Sequence, residues 1–476
     1  MQLTEEADFV GQDLSSEQSS NLGSLNHPYD LICLGFGPAA LAIAISISET
    51  APDRLSKTIF IEKQAQFTWH GGMLVPGSYM QISFLKDFAT LRDPKSRFTF
   101  LNYLQSQNRL IDFINLGTFY PLREEYQDYM RWCACSFQDQ VRYSEMALQV
   151  GQVTSGTSRA CRPLDILRVI SQSVSDGKKI LRYAKNVVVC TGSSPHIPNC
   201  FPEAVRLQYS IHAAQISPHE RLAHSSDFVY FFPRIKDAEK TSLKPIRIAV
   251  LGAGQSAAEI TYYLLNELKS AHVDIIFRSR ALRPSDDTAF VNEIFNPSEV
   301  DEFYDLSSSQ KKRRIEEDRA TNYSVVRVEL IEKLYEFMYA QKLRGTRRLR
   351  ILNHKMVRKV TDHKLLELQL CDAEYDGDSL HEQYEEYDFV IAATGYHKQA
   401  RTEAILSSLH PLIKSSNGDH LPVDRNYRLQ LNRDQITAGV WLQGSCENSH
   451  GLSDSLLSVM AVRGKLIVDQ VFQTSC

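Results

Sequence analysis

The sequence predicts an α/β fold with two Rossmann-like dinucleotide-binding domains, because a glycine-rich turn occurs twice between an apolar strand and a helix. The first turn, GFGPAA, follows LICL, and the second, GAGQSAA, follows IRIAVL. The length of 476 residues suits two or three packed domains of roughly 150 residues each. Hydrophobic residues at 43% and charged residues at 23% are typical of a globular protein.

The first unit consists of a strand predicted over Leu31 to Leu34, the glycine turn, and a helix from about Ala39. In such a turn the first glycine permits a tight bend, the second lets a pyrophosphate approach the backbone, and a third small residue lets the helix pack closely. An acid after the next strand, TIFIEK, can bind ribose hydroxyls and disfavours a 2′-phosphate. The predicted contacts to this nucleotide are Gly35, Gly37, Pro38, Ala40 and Glu62.

A membrane span is the alternative interpretation of the run from Leu31 to Ile47, which carries no charge. Its length of ~17 residues is at the short limit for crossing a bilayer. The glycines and the proline in its first half favour the nucleotide-binding turn instead. We therefore predict no membrane contact.

The second unit repeats the pattern in IRIAVLGAGQSAAEITYYLLNE. The next strand, VDIIF, ends at Arg278, Ser279 and Arg280, where the first unit has Glu62. Cations at this position favour a 2′-phosphate and hence NADPH, whereas the alternative is a solvated cluster of arginines on the surface. The predicted NADPH contacts are Gly252, Gly254, Gln255, Ser256 and Arg278.

Two further apolar strands end in Thr-Gly turns, VVVCTGSSPHIP from Val187 and YDFVIAATGYH from Tyr387. The acid of the first unit suits FAD or NAD, and chains that bind FAD and NADPH in paired Rossmann-like domains often return to the FAD domain through such segments. We therefore predict a discontinuous FAD domain, 28–235 and 386–476, with an NADPH domain inserted at 236–385. Within the insertion, the charged stretch 284–345 has apolar residues at helical spacing, which predicts a small helical insert that binds substrate. This insert is predicted to begin with a long loop from Pro284 to Asn296.

Charge and cysteine content exclude other classes of protein. A net charge of −4 gives no bulk attraction for nucleic acid. Nine cysteines, without CxxC pairs or histidines at zinc spacing, predict a reducing compartment and no metal site. The acidic, Ser-rich segment 1–27 predicts a disordered tail rather than a signal peptide, so we expect a cytoplasmic protein.

A flavin reduced by NADPH can pass electrons to a disulfide, a quinone or dioxygen. A disulfide reductase needs a redox-active cysteine pair. The close pair Cys133 and Cys135 lies in a predicted helix, where residues two apart face different ways. This arrangement argues against disulfide reduction.

Several longer motifs together resemble one enzyme family. They are WHGGMLVPGSYMQISFLKDFATLRDPKSRFTFLNYL, GAGQSAAE, FVNEIFNP, TNYS, ATGY and HGLSDSLLS. From about Tyr29 to about Val468 the chain resembles the microbial N-hydroxylating monooxygenases, most closely the fungal L-ornithine N(5)-monooxygenases of siderophore synthesis. The resemblance implies FAD reduced by NADPH, reaction with O2 to a C4a-hydroperoxyflavin, oxygen transfer to the side-chain amine of L-ornithine, and a homotetramer.

The resemblance also implies roles for individual residues at the amino-acid substrate. Lys86 would hold the α-carboxylate, Asn292 would contact the α-amino and carboxylate groups, and Asn322 and Ser453 would line the amine end, with Ser455 as the alternative serine. The catalytic residues would be Asn292, Asn322 and Gln81. From the residues alone, Lys86 is equally consistent with a solvated surface lysine, and the asparagines with loop caps.

Around the flavin, the resemblance implies contacts from Trp69, His70, Met80, Gln81 and Leu452. The alternative for Trp69 and Met80 is ordinary core packing. A neutral reacting end suits the chemistry, because the substrate nitrogen must attack as a free amine, and a neighbouring carboxylate would stabilise the ammonium.

Other functions stay open at this point. QYSIHAAQ lacks the glycine and the His212 spacing of the related fingerprint FxGxxxHxxx(Y/F), which argues against a Baeyer-Villiger or xenobiotic monooxygenase. Ornithine and lysine differ by one methylene, which is worth only about 1 to 3 kcal/mol, so a lysine or diamine hydroxylase is an alternative. A non-catalytic nucleotide-binding sensor of the same fold is another.

Overall fold

The computed structural model of the chain describes residues 22–153, 165–206, 221–373, 382–414 and 420–473. Most of the predicted tail, the segment QYSIHAAQ with His212, and the last three residues lie outside these ranges. Among the described helices, none is long and apolar enough to cross a membrane.

The first nucleotide unit is built on a parallel sheet of five strands, as the sequence predicts. Its central strand, Leu31–Leu34, is fully buried, which explains why all four of its residues are apolar. From edge to edge the strands are Gly439–Leu442, Asn186–Val189, Leu31–Leu34, Thr58–Ile61 and Val141–Arg142.

The second nucleotide unit is also built on a parallel sheet of five strands. Its central strand is the one that leads into the second glycine turn. In order, the strands are Leu349–Leu352, His272–Ile276, Arg247–Leu251, Phe389–Ala392 and Leu222–His224. The two units therefore repeat one architecture, and the α/β fold class with two Rossmann-like units is confirmed.

The strand pairing differs from the predicted domain boundaries. Leu222–His224 lies within 28–235 and Phe389–Ala392 lies within 386–476, yet both pair in the second sheet. Thr394 and Gly395, which follow Phe389–Ala392, lead the chain back to the first unit, where the next helix, Ala400–Leu406, packs on the strand Glu145–Gln152. Backbone pairing explains the difference. If the second unit ended at residue 385, it would lack Phe389–Ala392, and one side of the buried strand Arg247–Leu251 would have no hydrogen-bond partner.

Smaller sheets flank both units. Each unit has an antiparallel sheet of three strands. One pair of short strands joins the two Thr-Gly segments, and another pair joins the start of the helical insert to a later part of it. These strands are Glu145–Gln152, Leu167–Ser173 and Lys179–Ala184; Lys355–Asp362, Leu366–Asp372 and Gln383–Tyr387; Ser194–Pro195 with Tyr396–His397; and Arg283–Pro284 with Val325–Val326.

Helices cover the sheets and form the insert. The α-helices are Pro38–Thr50, Phe100–Ser106, Leu110–Leu116, Arg123–Ala134, Phe228–Thr241, Gln255–Glu267, Ala289–Asn292, Glu299–Asp305, Ser308–Asp318, Val328–Arg344, Ala400–Leu406, Glu447–His450 and Met460–Gln473. The 3₁₀ helices are Pro52–Lys57, Gly71–Met73, Cys135–Gln140, Ser225–Asp227, Glu293–Phe295, Arg319–Thr321, Ser407–Leu412, Leu452–Ser455 and Leu457–Val459. The predicted loop Pro284 to Asn296 thus contains two helical turns, which are too short for periodicity to reveal.

The last helix of the chain packs on the first. Met460–Gln473 lies against Pro38–Thr50, the helix that follows the first glycine turn. A Cβ atom at Gly464 would lie 3.0 Å from the backbone of Ala42, so the close approach of the two helices depends on this glycine. This contact fixes the helix whose N-terminus faces the candidate site.

Candidate functional site

In the described part of the chain, a large cleft of about 1690 Å³ is lined by residues of both nucleotide units and of the helical insert. Both glycine turns and both Thr-Gly turns reach it. Sites for one small molecule commonly measure ~300 to 1,000 Å³, so this cleft has room for more than one ligand.

The first glycine turn fits a bound pyrophosphate. Gly35 has a φ of +94°, and a Cβ there would lie 2.5 Å from the carbonyl oxygen of Cys190, so only glycine fits. Gly37 precedes the helix Pro38–Thr50, and a Cβ there would meet nothing within 4 Å. The helix N-terminus therefore opens into the cleft, where backbone N–H groups and the helix dipole favour an anion.

The second glycine turn repeats this construction. Gly252 has a φ of +138°, and a Cβ there would lie 2.3 Å from the carbonyl oxygen of Ala393. Gly254 precedes the helix Gln255–Glu267 and faces open space except for Ser324, whose Cα would be 3.8 Å away. Each Thr-Gly turn thus closes over the first glycine of its own unit, and each helix N-terminus is left free for a phosphate.

The residues that follow the second strand of each unit carry opposite charge. Glu62 is buried at the cleft, and its two carboxylate oxygens accept hydrogen bonds from Phe36 N at 2.7 Å and Gln64 N at 2.8 Å. Arg278 lines the cleft with an exposed side chain, whereas Arg280 does not line it. At this position a phosphate would therefore meet a carboxylate in the first unit and a guanidinium in the second.

Four residues predicted to surround a flavin line the cleft together: Trp69, His70, Met80 and Gln81. His70 has a φ of +48°, which is uncommon for a residue with a side chain, and precedes the turn Gly71–Met73. His70 is exposed to the cleft, and desolvation by the surrounding protein together with the nearby Arg123 lowers its pKa from the ordinary value, which favours the neutral ring. Met80 is buried, and Gln81 is exposed to the cleft.

Lys86, Asn292 and Asn322 also line the cleft. Lys86 is half-buried, and desolvation lowers its pKa from the ordinary value. Within the described part of the chain its ammonium has no hydrogen-bond or ion-pair partner. The Asn292 amide donates to the backbone oxygens of Asp287 at 2.9 Å and Thr288 at 3.3 Å, which fixes its orientation.

The two alternative serines lie in different places. Ser453 and Leu452 are buried and line a separate cavity of about 150 Å³, whereas Ser455 lines the large cleft. Between them, Asp454 pairs with Arg463 at 2.8 Å, and its other oxygen accepts a hydrogen bond from Cys446 N. The short 3₁₀ turn that contains these residues decides which of them face the cleft, and sequence spacing does not reveal it.

The sequence did not predict the side-chain contacts between the two units. Arg123 donates two hydrogen bonds to Glu259, at 2.8 and 2.9 Å, and the side chains are only 15% and 6% exposed. Gln255 donates to the same carboxylate and accepts a hydrogen bond from the backbone of Arg327. The available signal was a glutamate on the buried face of the helix Gln255–Glu267, where the other buried residues are apolar except Thr261.

The described cysteines form no redox pair at the site. Cys133 is buried in the core, whereas Cys135 is exposed, and both are free thiols. Among the described residues no cluster of His, Cys, Asp or Glu has the arrangement of a metal site.

Comparisons with known proteins place this geometry in a family. Residues 27–398 match the family model described as L-lysine 6-monooxygenase/L-ornithine 5-monooxygenase. The L-ornithine N(5)-oxygenase of Arthrobotrys oligospora is 42% identical over 455 residues, which cover 94% of this chain and 89% of the relative.

Solved structures agree with this match. The ornithine hydroxylase of Pseudomonas aeruginosa has a TM-score of 0.81 and 38% identity, covering 94% of this chain and 99% of its own. The ornithine N-hydroxylase of Kutzneria, with reduced FAD, NADP⁺ and L-ornithine, has a TM-score of 0.83 and 30% identity, covering 94% of this chain and 100% of its own. The resemblance found in the sequence is confirmed. The chain belongs to the L-lysine 6-monooxygenase/L-ornithine 5-monooxygenase family.

Proposed function

We propose that this protein uses FAD, NADPH and O2 to hydroxylate the side-chain amine of L-ornithine, the first step of hydroxamate siderophore biosynthesis. The observation that carries the proposal is one cleft that joins two open helix N-termini to Lys86, an ammonium without a described protein partner. As a member of its family, the chain is an N-hydroxylating monooxygenase, and curated relatives named for ornithine N(5)-hydroxylation support the choice of substrate.

The residues of the cleft fit both nucleotides. FAD would rest on the turn at Gly37 with Glu62 at its ribose, and NADPH on the turn formed by Gly254, Gln255 and Ser256, with its 2′-phosphate at Arg278. When bound, the two cofactors supply hydride transfer and the activation of dioxygen. Around the reacting end, Trp69 and Met80 exclude water and Gln81 donates a hydrogen bond.

The substrate would lie with its two ends in different surroundings. The Lys86 ammonium binds the α-carboxylate, and Asn292 binds the α-amino and carboxylate groups. Asn322 and Ser455 line the opposite end with neutral groups. An unperturbed side-chain ammonium has a pKa of about 10.4, so desolvation at this end favours the free amine that must attack oxygen.

Product identification tests the proposed function. The purified protein should release FAD on boiling, consume oxygen with NADPH, and convert ornithine to an N-hydroxylated product that mass spectrometry detects. Hydroxylated lysine or putrescine instead of ornithine would establish one of the alternative amines. No oxygen consumption with any of the three would favour a nucleotide-binding sensor.

Replacing Arg278 with Ala should weaken NADPH binding by about 1 to 3 kcal/mol and leave NADH binding nearly unchanged, because only NADPH has a 2′-phosphate. Flavin reduction over a titration of each nucleotide measures both affinities. Arg280→Ala is the matched control, since Arg280 is exposed outside the cleft. Equal losses for the two nucleotides would contradict the assignment of Arg278.

The homotetramer implied by the family stays a prediction. Helix Leu110–Leu116 and the loop after it expose Ile111, Ile114, Leu116 and Phe119, and apolar groups of this kind favour contact with another subunit. We infer that further copies of the chain cover this surface. Sedimentation velocity of the purified protein counts the subunits, and a monomer would contradict the inference.

A further inference from the structure

A charged cluster lies on the wall of the cleft next to Asn322. Its members, the Lys398 cluster, are Tyr323, Lys398, Glu447 and Ser455, and all four line the cleft. The Lys398 ammonium contacts the Glu447 carboxylate, the Tyr323 hydroxyl and Ser455 Oγ, the last at 3.2 Å. The Tyr323 hydroxyl also donates to Glu447. These contacts join the helical insert to the C-terminal part of the first unit.

The Glu447 carboxylate presents a difficulty for the proposed chemistry. The amine end of the substrate must be uncharged to react, yet a carboxylate lies on the same wall as Asn322 and Ser455. A carboxylate within ~4 to 6 Å of an ammonium raises the ammonium pKa by about 1 to 3 units. An unpaired Glu447 would therefore hold the substrate amine in its protonated, unreactive form.

Lys398 is the cation that neutralises this carboxylate. The side chains of Lys398 and Glu447 are only 24% and 17% exposed, so solvent screens the pair weakly. Burial raises the pKa of Glu447, and Lys398 lowers it. The other charges that act on Glu447 are Asp454, which Arg463 already neutralises, and Arg319, whose side chain is 62% exposed.

We propose that Lys398 masks the charge of Glu447, so that the amine end of the site carries no net negative charge and the substrate amine binds as the free base. The proton that leaves the substrate ammonium passes to solvent, and no other bond changes in this step. The proposal rests on the proposed hydroxylation of a side-chain amine. Lys398 and Glu447 act on the reaction through charge, as positioning residues rather than as a base.

Three variants separate charge masking from a merely structural link. Lys398→Met leaves an unpaired carboxylate, Glu447→Gln leaves an unpaired ammonium, and the double variant restores neutrality. The two single variants are therefore expected to shift the pKa of the bound substrate amine in opposite directions. Lys398→Arg, which keeps the positive charge, serves as the conservative control.

The first measurement is proton release when ornithine binds to the FAD-loaded protein with NADP⁺, by calorimetry in two buffers of different ionisation enthalpy. Wild type should release close to one proton per ornithine at pH 8, because the side chain of ornithine is an ammonium in solution and loses its proton on binding. Lys398→Met should release clearly less, about half a proton for a rise of one unit in the pKa of the bound amine, and should bind ornithine more tightly. The double variant should return to wild-type release.

The second measurement is the pH profile of kcat for hydroxylated product. We expect the profile of Lys398→Met to move up by about one pH unit, with about a tenfold loss at pH 7, and that of Glu447→Gln to move down. Unchanged pH profiles in both single variants would overturn charge masking, and so would a double variant with a lower kcat than either single variant. If wild type itself binds ornithine but does not hydroxylate it, the proposed function fails, whereas proton release still tests the role of Lys398.

Discussion

Lys86→Ala is expected to weaken ornithine binding by about 2 to 4 kcal/mol, which raises the dissociation constant roughly 30- to 1,000-fold. The half-buried Lys86 ammonium has no described partner, and its pKa is lowered by desolvation, so a substrate carboxylate would be the first anion to compensate it. Removing Lys86 would leave that carboxylate desolvated and unpaired. Calorimetry on the FAD-loaded protein measures the affinity directly.

Two controls accompany this prediction. Lys95→Ala removes an exposed lysine of the same segment that does not line the cleft, and it should leave the affinity unchanged. Putrescine, which has no carboxylate, should bind equally well to wild type and Lys86→Ala. The rate of flavin reduction by NADPH should stay near wild type, while more oxygen ends as hydrogen peroxide. An unchanged KM and product yield with ornithine would make Lys86 a surface lysine.

Glu259→Ala is expected to destabilise the protein by about 3 to 5 kcal/mol, because it leaves the guanidinium of Arg123 buried without its bidentate partner. The pair joins the helix Arg123–Ala134 to the helix of the second glycine turn, so the variant should weaken the contact between the two units. The midpoint of urea unfolding, followed by circular dichroism, measures the loss.

Glu267→Ala is the matched control for this pair. Glu267 lies on the same helix and pairs with Lys236 at 3.4 Å, but the two side chains are 39% and 44% exposed. Surface pairs contribute about 0 to 1 kcal/mol, so this variant should unfold close to wild type. The double variant Arg123→Met/Glu259→Leu should recover much of the stability, since no buried charge is then unpaired. Equal midpoints for Glu259→Ala and Glu267→Ala would show that the buried pair adds no stability.

Local rules predicted the parts of the site that depend on neighbouring residues. Gly35 and Gly252 adopt positive φ angles and permit close backbone contacts, which are properties of glycine itself. The strand Leu31–Leu34 and the helix after Pro38 also follow from a few consecutive residues. The family resemblance, rather than a local rule, implied a common substrate site for Lys86, Asn292 and Asn322, and all three line the cleft.

Long-range pairing decided what the sequence analysis could not resolve. The strand Phe389–Ala392 is apolar in either sheet, so only its partner Arg247–Leu251 shows to which unit it belongs. The partner of Glu259 is Arg123, which is remote in sequence, and no local pattern links them. Ser453 and Ser455 differ only in the direction their side chains take from one short turn.

The packing of the last helix on the first determines the order in which the protein can be assembled during synthesis. Strand Gly439–Leu442 and helix Met460–Gln473 complete the first unit, so its apolar N-terminal strand and helix wait for most of translation. At ~5 to 20 residues per second this wait lasts about 20 to 90 s. The second unit draws its strands from residues 222–392 and can therefore close earlier on the ribosome. The unit that is encoded first is therefore completed last: four of its five strands are synthesised by residue 189, but the fifth strand and the closing helix follow the whole of the second sheet.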